Sequence, residues 1–166
     1  MPAGRVHEAI NLTALGLGGI AYLAYGGPLE DPRALAFALS YLTGTFLLSP
    51  DLDLAEKGVR AKRRWGVLGF LWRPYGWLFR HRGLSHTWIL GPLTRLGYLF
   101  FLLFLLYGFF SGMAALLGAS FALVLPPLPS GVLWWGLLGY YLSQWLHLLA
   151  DGIYPDHDLK RLRRPR

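Results

Sequence analysis

The sequence predicts an all-α integral membrane protein with about four transmembrane helices and one basic, aromatic cytoplasmic loop. Three observations predict it. Only 15% of the 166 residues are charged and 54% are hydrophobic, against roughly 25% charged in a soluble domain. No Asp, Glu, Lys or Arg occurs from Leu96 to Ala150, far more than the roughly 20 residues a bilayer span needs. The residues able to do chemistry also gather at the ends of the apolar stretches rather than inside them. A length of 166 residues fits a single membrane-embedded domain over 1–166.

The first span is expected at about 9–29. It ends in Tyr25-Gly26-Gly27-Pro28 without a small-x-small cleavage site, so it reads as a retained helix rather than a signal peptide. The second, at about 34–50, is stopped by Ser49-Pro50, with Asp51-Leu52-Asp53 directly after it. A third span is expected at about 87–110, with Ser85 as its N-cap. Residues 113–125 fit an extension of that helix, a short re-entrant helix or a separate element. Pro126-Pro127-Leu128-Pro129-Ser130-Gly131 then forces a turn, and the last span follows at about 132–150.

The loop 51–86 carries Lys57, Arg60, Lys62, Arg63, Arg64, Arg73, Arg80 and Arg82 against Asp51, Asp53 and Glu56. Trp65, Phe70, Trp72, Tyr75, Trp77 and Phe79 are interleaved with them. That pattern suits an interfacial segment, with rings at headgroup depth and cations on anionic lipid headgroups. The net charge of +7 is read as the positive-inside bias of cytoplasmic loops, so no nucleic acid is expected as partner. The basic bias of the loop and the tail places both termini in the cytoplasm and the chain in the cell (inner) membrane, as a multi-pass protein.

With that topology the candidate ligands meet at one interface. His7 precedes the first span, Asp51 and Asp53 follow the second, and His81 and His86 precede the third. His147 and Asp151 close the fourth at an i,i+4 spacing that lets imidazole and carboxylate reach one ion. Two carboxylates at a helix C-terminus oppose the helix dipole unless a cation joins them. There is no cysteine, so a metal would be held by nitrogen and oxygen. That donor set favours Zn, with Mn or Fe as alternatives, over magnesium. Seven ligands exceed the needs of one tetrahedral ion, so one or two divalent transition-metal ions are expected, a pair being bridged by an aspartate. Arg5, Arg80 and Arg82 are candidates to hold phosphate, since guanidinium matches phosphate oxygens two at a time. Arg95 lies nine positions after His86, half a turn around a regular helix, and is expected to face away from the cluster, as a structural intramembrane partner or a snorkelling residue. His157, in Asp156-His157-Asp158, looks like part of a ligand triplet but lies in the polar, basic tail and is not counted among the expected ligands.

The segments Pro-Ala-Gly-Arg-Val-His (2–7), Leu-Ser-Pro-Asp-Leu-Asp (48–53), Arg-Trp-Gly (64–66), Trp-Arg-Pro-Tyr (72–75), Phe-Arg-His-Arg-Gly-Leu-Ser-His (79–86) and His-x-x-x-Asp (147–151) together resemble a bacterial family of uncharacterised metal-binding membrane proteins. More distantly the chain is similar to LexA-regulated inner-membrane metal-dependent hydrolases. A weaker likeness is to zinc-dependent phospholipase C and the related single-strand nucleases, but the second His-x-x-x-Asp helix and the amino-terminal tryptophan of that group are missing. The resemblance implies metal binding by the residues already placed by topology.

The expected function is a membrane-embedded, metal-dependent hydrolase of phosphoesters, with a lipid phosphate or phosphodiester as substrate at the cytoplasmic face. Asp51, Asp53 and His86 are its expected catalytic residues. Paired metals suit phosphoester hydrolysis. The alternative is a non-catalytic metal-binding membrane protein with a storage, sensing or carrier role. A transporter would place polar ligands near the bilayer midplane, where this sequence has few.

Overall fold

Asp31 fixes where the second helix starts. Its carboxylate accepts the backbone N–H of Arg33 at 2.9 Å and Pro32 occupies the first helical position, the standard stop-start chemistry of a helix N-terminus. The computed structural model describes residues 4–54, 59–79 and 83–155, and among these it contains helices and no strand. Four long helices carry the architecture: α1 (Gly4–Ala24), α2 (Pro32–Phe46), α5 (Leu90–Leu116) and α6 (Val132–Ala150). Between α2 and α5 the chain makes a 3₁₀ turn (Pro50–Asp53), α3 (Arg60–Arg64), a 3₁₀ segment (Gly66–Trp72), α4 (Arg73–Leu78) and a last 3₁₀ turn (Leu84–His86).

The elements differ from expectation at their edges. The first helix begins at Gly4, so His7 and Glu8 lie inside its first turns rather than before it. The second ends at Phe46, and Ser49 caps the 3₁₀ turn that carries both aspartates. The third runs on to Leu116. Residues 119–129 have no regular structure, so only the start of the ambiguous 113–125 stretch is a helical extension. Ser85 does not cap α5. Ile89 stands at the cap position without a side-chain bond, while Thr87 Oγ1 accepts the Gly91 N–H at 2.8 Å.

The most intimate packing is between α2 and α6. A Cβ at Gly139 would collide with the Phe37 carbonyl, and one at Gly44 with the Ser143 hydroxyl, so glycine is what lets the two backbones approach. The apolar core sits beside this contact and is built largely by the connector: Leu48, Leu52, Ala61, Trp72, Tyr75 and Tyr140. Trp72 and Tyr75 are fully buried, with Tyr98 donating to the Leu71 carbonyl at 2.6 Å and Trp65 Nε1 to the Leu47 carbonyl at 3.0 Å. This corrects the expectation that the loop's rings all lie at headgroup depth. Trp77 and Phe70 are exposed, whereas Trp72 and Tyr75 hold the connector against the helices.

Burial is confined to one end of every long helix. In α1 only His7 and Asn11 are buried, in α2 Tyr41, Gly44 and Thr45, in α5 Gly91, Pro92 and Arg95, and in α6 residues from Gly139 to Leu148. Among the described residues α5 alone is long and apolar enough to cross a membrane.

Candidate metal centre

The buried ends of α1 and α6 bring three ligand-type side chains together. His7 stands in the first turn of α1, and His147 and Asp151 lie one turn apart at the end of α6. The two imidazole rings stack at 4.0 Å with planes 13° apart. His7 Nε2 is 3.3 Å from Asp151 Oδ1, and His147 Nε2 is 3.6 Å from Asp151 Oδ2. One donor atom from each residue lies within 4.8 Å of the others, a group that could hold a metal ion. Among the described residues His7 Nδ1 and His147 Nε2 are buried without a hydrogen-bond partner, and Asp151 has only the two imidazoles beside its oxygens. Polar atoms are seldom left so, and two imidazoles and a carboxylate converging on one point are the donor set of an N/O metal site. Burial alone would raise the Asp151 carboxyl, but the His7 hydrogen bond and the charges of His147, His7 and His86 hold it below the usual carboxylate range.

A second group adjoins the first. Asp53 and His86, both almost fully buried, meet at 3.1 Å, and Ser85 Oγ donates to the same Asp53 oxygen. Asp51 lies between the groups, with Oδ1 3.9 Å from His147 Nε2. Burial pushes its carboxyl up, and the nearby Asp151 and Asp53 add to the rise against the pull of His86 and His7. Asp51 therefore feels both groups. The 3₁₀ turn that Ser49 starts at Pro50 is what aims two aspartates with one intervening leucine at different imidazoles. Beside Asp51 a cavity of about 210 Å³ is lined by His7, His147, Asn11, Glu8, Arg60 and Arg63 among others.

Residues 2–161 match the family described as Uncharacterized metal-binding protein (DUF2227). The chain belongs to this family. It is also similar to an uncharacterized protein of Aquifex aeolicus (strain VF5), with 49% identity over 71 residues, 42% of this chain and 48% of the relative. That alignment thus covers about half the length of the relative. No solved structure matches. These matches carry the metal-binding family and do not extend to the LexA-regulated hydrolases.

The remaining nominated residues fall into three groups. His81, Arg80, Arg82 and His157 lie outside the described residues. Arg5 is exposed and does not line the cavity; the guanidinium groups that do are Arg60 and Arg63. Arg95 corrects the helical-phase argument. It is fully buried and donates to the Ser85 carbonyl at 2.8 Å and to Gln144 Oε1 at 3.0 Å. The helix starts only at Leu90, so the chain folds back between His86 and Arg95 and the nine-residue phase does not apply. Gln144 in turn donates to the Gly44 carbonyl at 3.0 Å, which ties α5, α6 and α2 to the turn that carries His86. Asn11, one turn from His7, accepts Tyr41 OH at 2.8 Å and so fixes α1 against α2.

Proposed function

We propose that this member of the metal-binding family is a membrane-embedded, metal-dependent phosphoester hydrolase that works at the cytoplasmic face of the inner membrane. The observation that carries the reading is the juxtaposition of the His7–His147–Asp151 group with an accessible polar cavity. Structural metal sites are closed by their protein ligands, whereas catalytic ones keep a position open for water or substrate. Two histidines and one aspartate would leave such a position, and both His7 and His147 line the cavity.

A divalent transition metal there, with zinc, manganese and iron favoured by the N/O donors, would supply Lewis acidity toward a phosphoryl oxygen and acidify water for attack. The chain's own residues would do the rest. His7, His147 and Asp151 would hold one ion. Asp53 and His86 would offer a second position, and Asp51, 3.9 Å from His147 and under the electrostatic influence of His86, would adjoin both. A carboxylate so placed can also take a proton from water, the general-base role. Ser85 orients Asp53 through its hydroxyl, and Arg95 holds the Ser85 backbone.

The membrane placement is supported by the inverted distribution of side chains. His7, Asn11, Asp53, His86, Arg95, Gln144 and His147 are buried, while Leu17, Ile20, Phe100, Phe104, Leu133 and Trp134 are exposed. A water-soluble surface rarely carries so broad an apolar area. Lipid covering the far ends of the four helices accounts for it, and α5, about 40 Å long at ~1.5 Å per residue, reaches across. Anionic headgroups are then the natural neighbours of the basic site end.

The test is metal-loaded protein in detergent micelles, offered phospholipids, polyprenyl phosphates and an aryl phosphodiester with Zn²⁺ or Mn²⁺. Hydrolysis that disappears in His147→Ala supports the reading. Metal bound at stoichiometry without cleavage of any of these would shift the protein to the storage or sensing class. Because the chain has no cysteine, single cysteines at Tyr154 and Glu30 test topology: they should be labelled from opposite sides, the first from the cytoplasm.

A further inference from the structure

The cavity beside the metal centre has a basic wall that the metal does not need. Arg60 lines it from the start of α3, and Arg63 lines it from one turn further on, where its side chain is exposed. Arg60 is held in place by Glu8: Nη2 lies 3.3 Å from Glu8 Oε2. Its Nη1 is buried and has no hydrogen-bond partner among the described residues. The guanidinium is thus paired with Glu8 on one side and keeps unused donor capacity, in a residue that lines the cavity. Glu8 is also gripped by Arg64, at 2.7 and 3.1 Å, so this acid is already neutralised, and the other acid of the lining, Asp51, stands beside His147.

We infer that Arg60 and Arg63 form a phosphoryl-binding subsite, which holds the phosphate group of a substrate against the His7–His147–Asp151 centre. The inference rests on the hydrolase reading for its reaction but on these contacts for its location. Guanidinium pairs with phosphate through two parallel N–H···O bonds, and an anchored Arg60 loses little side-chain freedom on binding. Size narrows the ligand. About 210 Å³ is below the roughly 300–1,000 Å³ of sites that enclose a drug-sized molecule. The cavity therefore takes a phosphate with few further atoms, and the rest of a larger molecule lies outside it. A terminal phosphomonoester fits, whether a lipid headgroup or a soluble phosphate.

Binding of inorganic phosphate to the Zn²⁺-loaded, full-length protein is measured by calorimetry. Arg60→Gln should weaken it by about tenfold or more, the usual effect of losing a charged hydrogen bond, while metal content stays unchanged. Arg60→Lys should recover part of the loss, because it keeps the charge and not the fork. Glu8→Gln separates recognition from folding. If Arg60 matters only as the partner of Glu8, this variant should weaken phosphate as much as Arg60→Gln does. On the proposal it should bind phosphate about as tightly, since the glutamine amide oxygen can still accept from Arg60 and keep it anchored. Phosphate affinity unchanged in the Arg60→Gln, Arg63→Gln double variant would overturn the subsite. The source of the phosphate is read from competition: phosphatidic acid in nanodiscs, set against phosphatidylcholine alone, should displace inorganic phosphate if the headgroup is the ligand. Arginine-dependent phosphate binding without any ester cleavage would sink the hydrolase reading and leave the subsite standing. Ester cleavage with the same KM in the double variant would do the reverse.

Discussion

The two ends of the helix bundle obey opposite rules. At the end that holds the centre, polar groups are inside: Gln144, Ser143, Arg95 and Asn11 are buried and each makes at least one hydrogen bond, and glycine at 44 and 139 brings α2 and α6 into backbone contact. At the other end, α5 beyond Leu99 and α6 before Gly139 have no fully buried residue, and most of their Phe, Leu and Trp side chains are exposed. A buried polar network specifies one arrangement, because every alternative leaves a donor or acceptor unpaired at low dielectric. An apolar surface facing lipid specifies almost nothing about neighbours. The difference explains why a chain with so few charges keeps its chemistry at one end: that end alone has the rigidity a ligand set requires.

The largest expected effect is at the centre. His147→Ala or Asp151→Ala removes one of three ligands, and bound metal should fall well below one ion per chain by elemental analysis. If the protein hydrolyses phosphoesters, kcat should drop by several orders of magnitude with it. Asp53→Ala should have a distinct signature, lowering the metal count by at most one ion if two are present. Full metal retention in both His147→Ala and Asp151→Ala would remove this group as the site.

At the other end, Phe104, which is 69% exposed, lies near the middle of α5. Under the membrane placement Phe104→Lys puts a charge near the bilayer centre and should cost about 2.5–3.5 kcal/mol of insertion, read as loss of the variant from the membrane fraction. If the face meets water instead, the same change should improve solubility, and the membrane placement of α5 would have to be given up.

How much of this was legible in the sequence follows from the same contrast. The last helix was readable to its boundaries, Val132–Ala150, because a charge-free run between a Pro/Gly turn and an Asp-Gly has only one reading. That His7, Asp51, His147 and Asp151 meet was legible from topology, since helix ends on one side of a bundle are neighbours whatever their separation in sequence. The connector was not. Alternating Trp and Arg looks the same whether the ring faces lipid or, like Trp72, fills the core. Arg95 was misjudged because a helical phase was extended through a 3₁₀ turn. Arg60 had no signal at all: its partner Glu8 is far away in sequence, and no periodicity marks a contact between a five-residue helix and α1.

A smaller effect separates the two ends through their backbones. Gly139→Ala sets a methyl group against the Phe37 carbonyl, and backbone cannot move aside as a flexible side chain can. Overpacking of this kind costs about 1–3 kcal/mol. The variant should lower the thermal midpoint in micelles and, because α6 carries His147 and Asp151, weaken metal binding as well. A midpoint equal to that of the parent would mean that α2 and α6 are not in such close contact.

The smallest effect should have the opposite sign. Gly97 lies in α5 with nothing within 4 Å of the position a Cβ would take. Here glycine permits no close approach and only leaves the helix with more freedom to lose on folding. Alanine should therefore stabilise α5 by about 0.5–1 kcal/mol, seen as a small rise in the same thermal midpoint with metal content unchanged. The pair Gly139→Ala and Gly97→Ala makes one chemical change in two helices, so the difference between them isolates packing from propensity. If Gly97→Ala destabilises instead, something does pack against that face, and a second copy of the chain is the first candidate to examine, by crosslinking in the membrane. A rise at Gly97 with a fall at Gly139 is what a rigid polar end joined to an unpartnered apolar one requires.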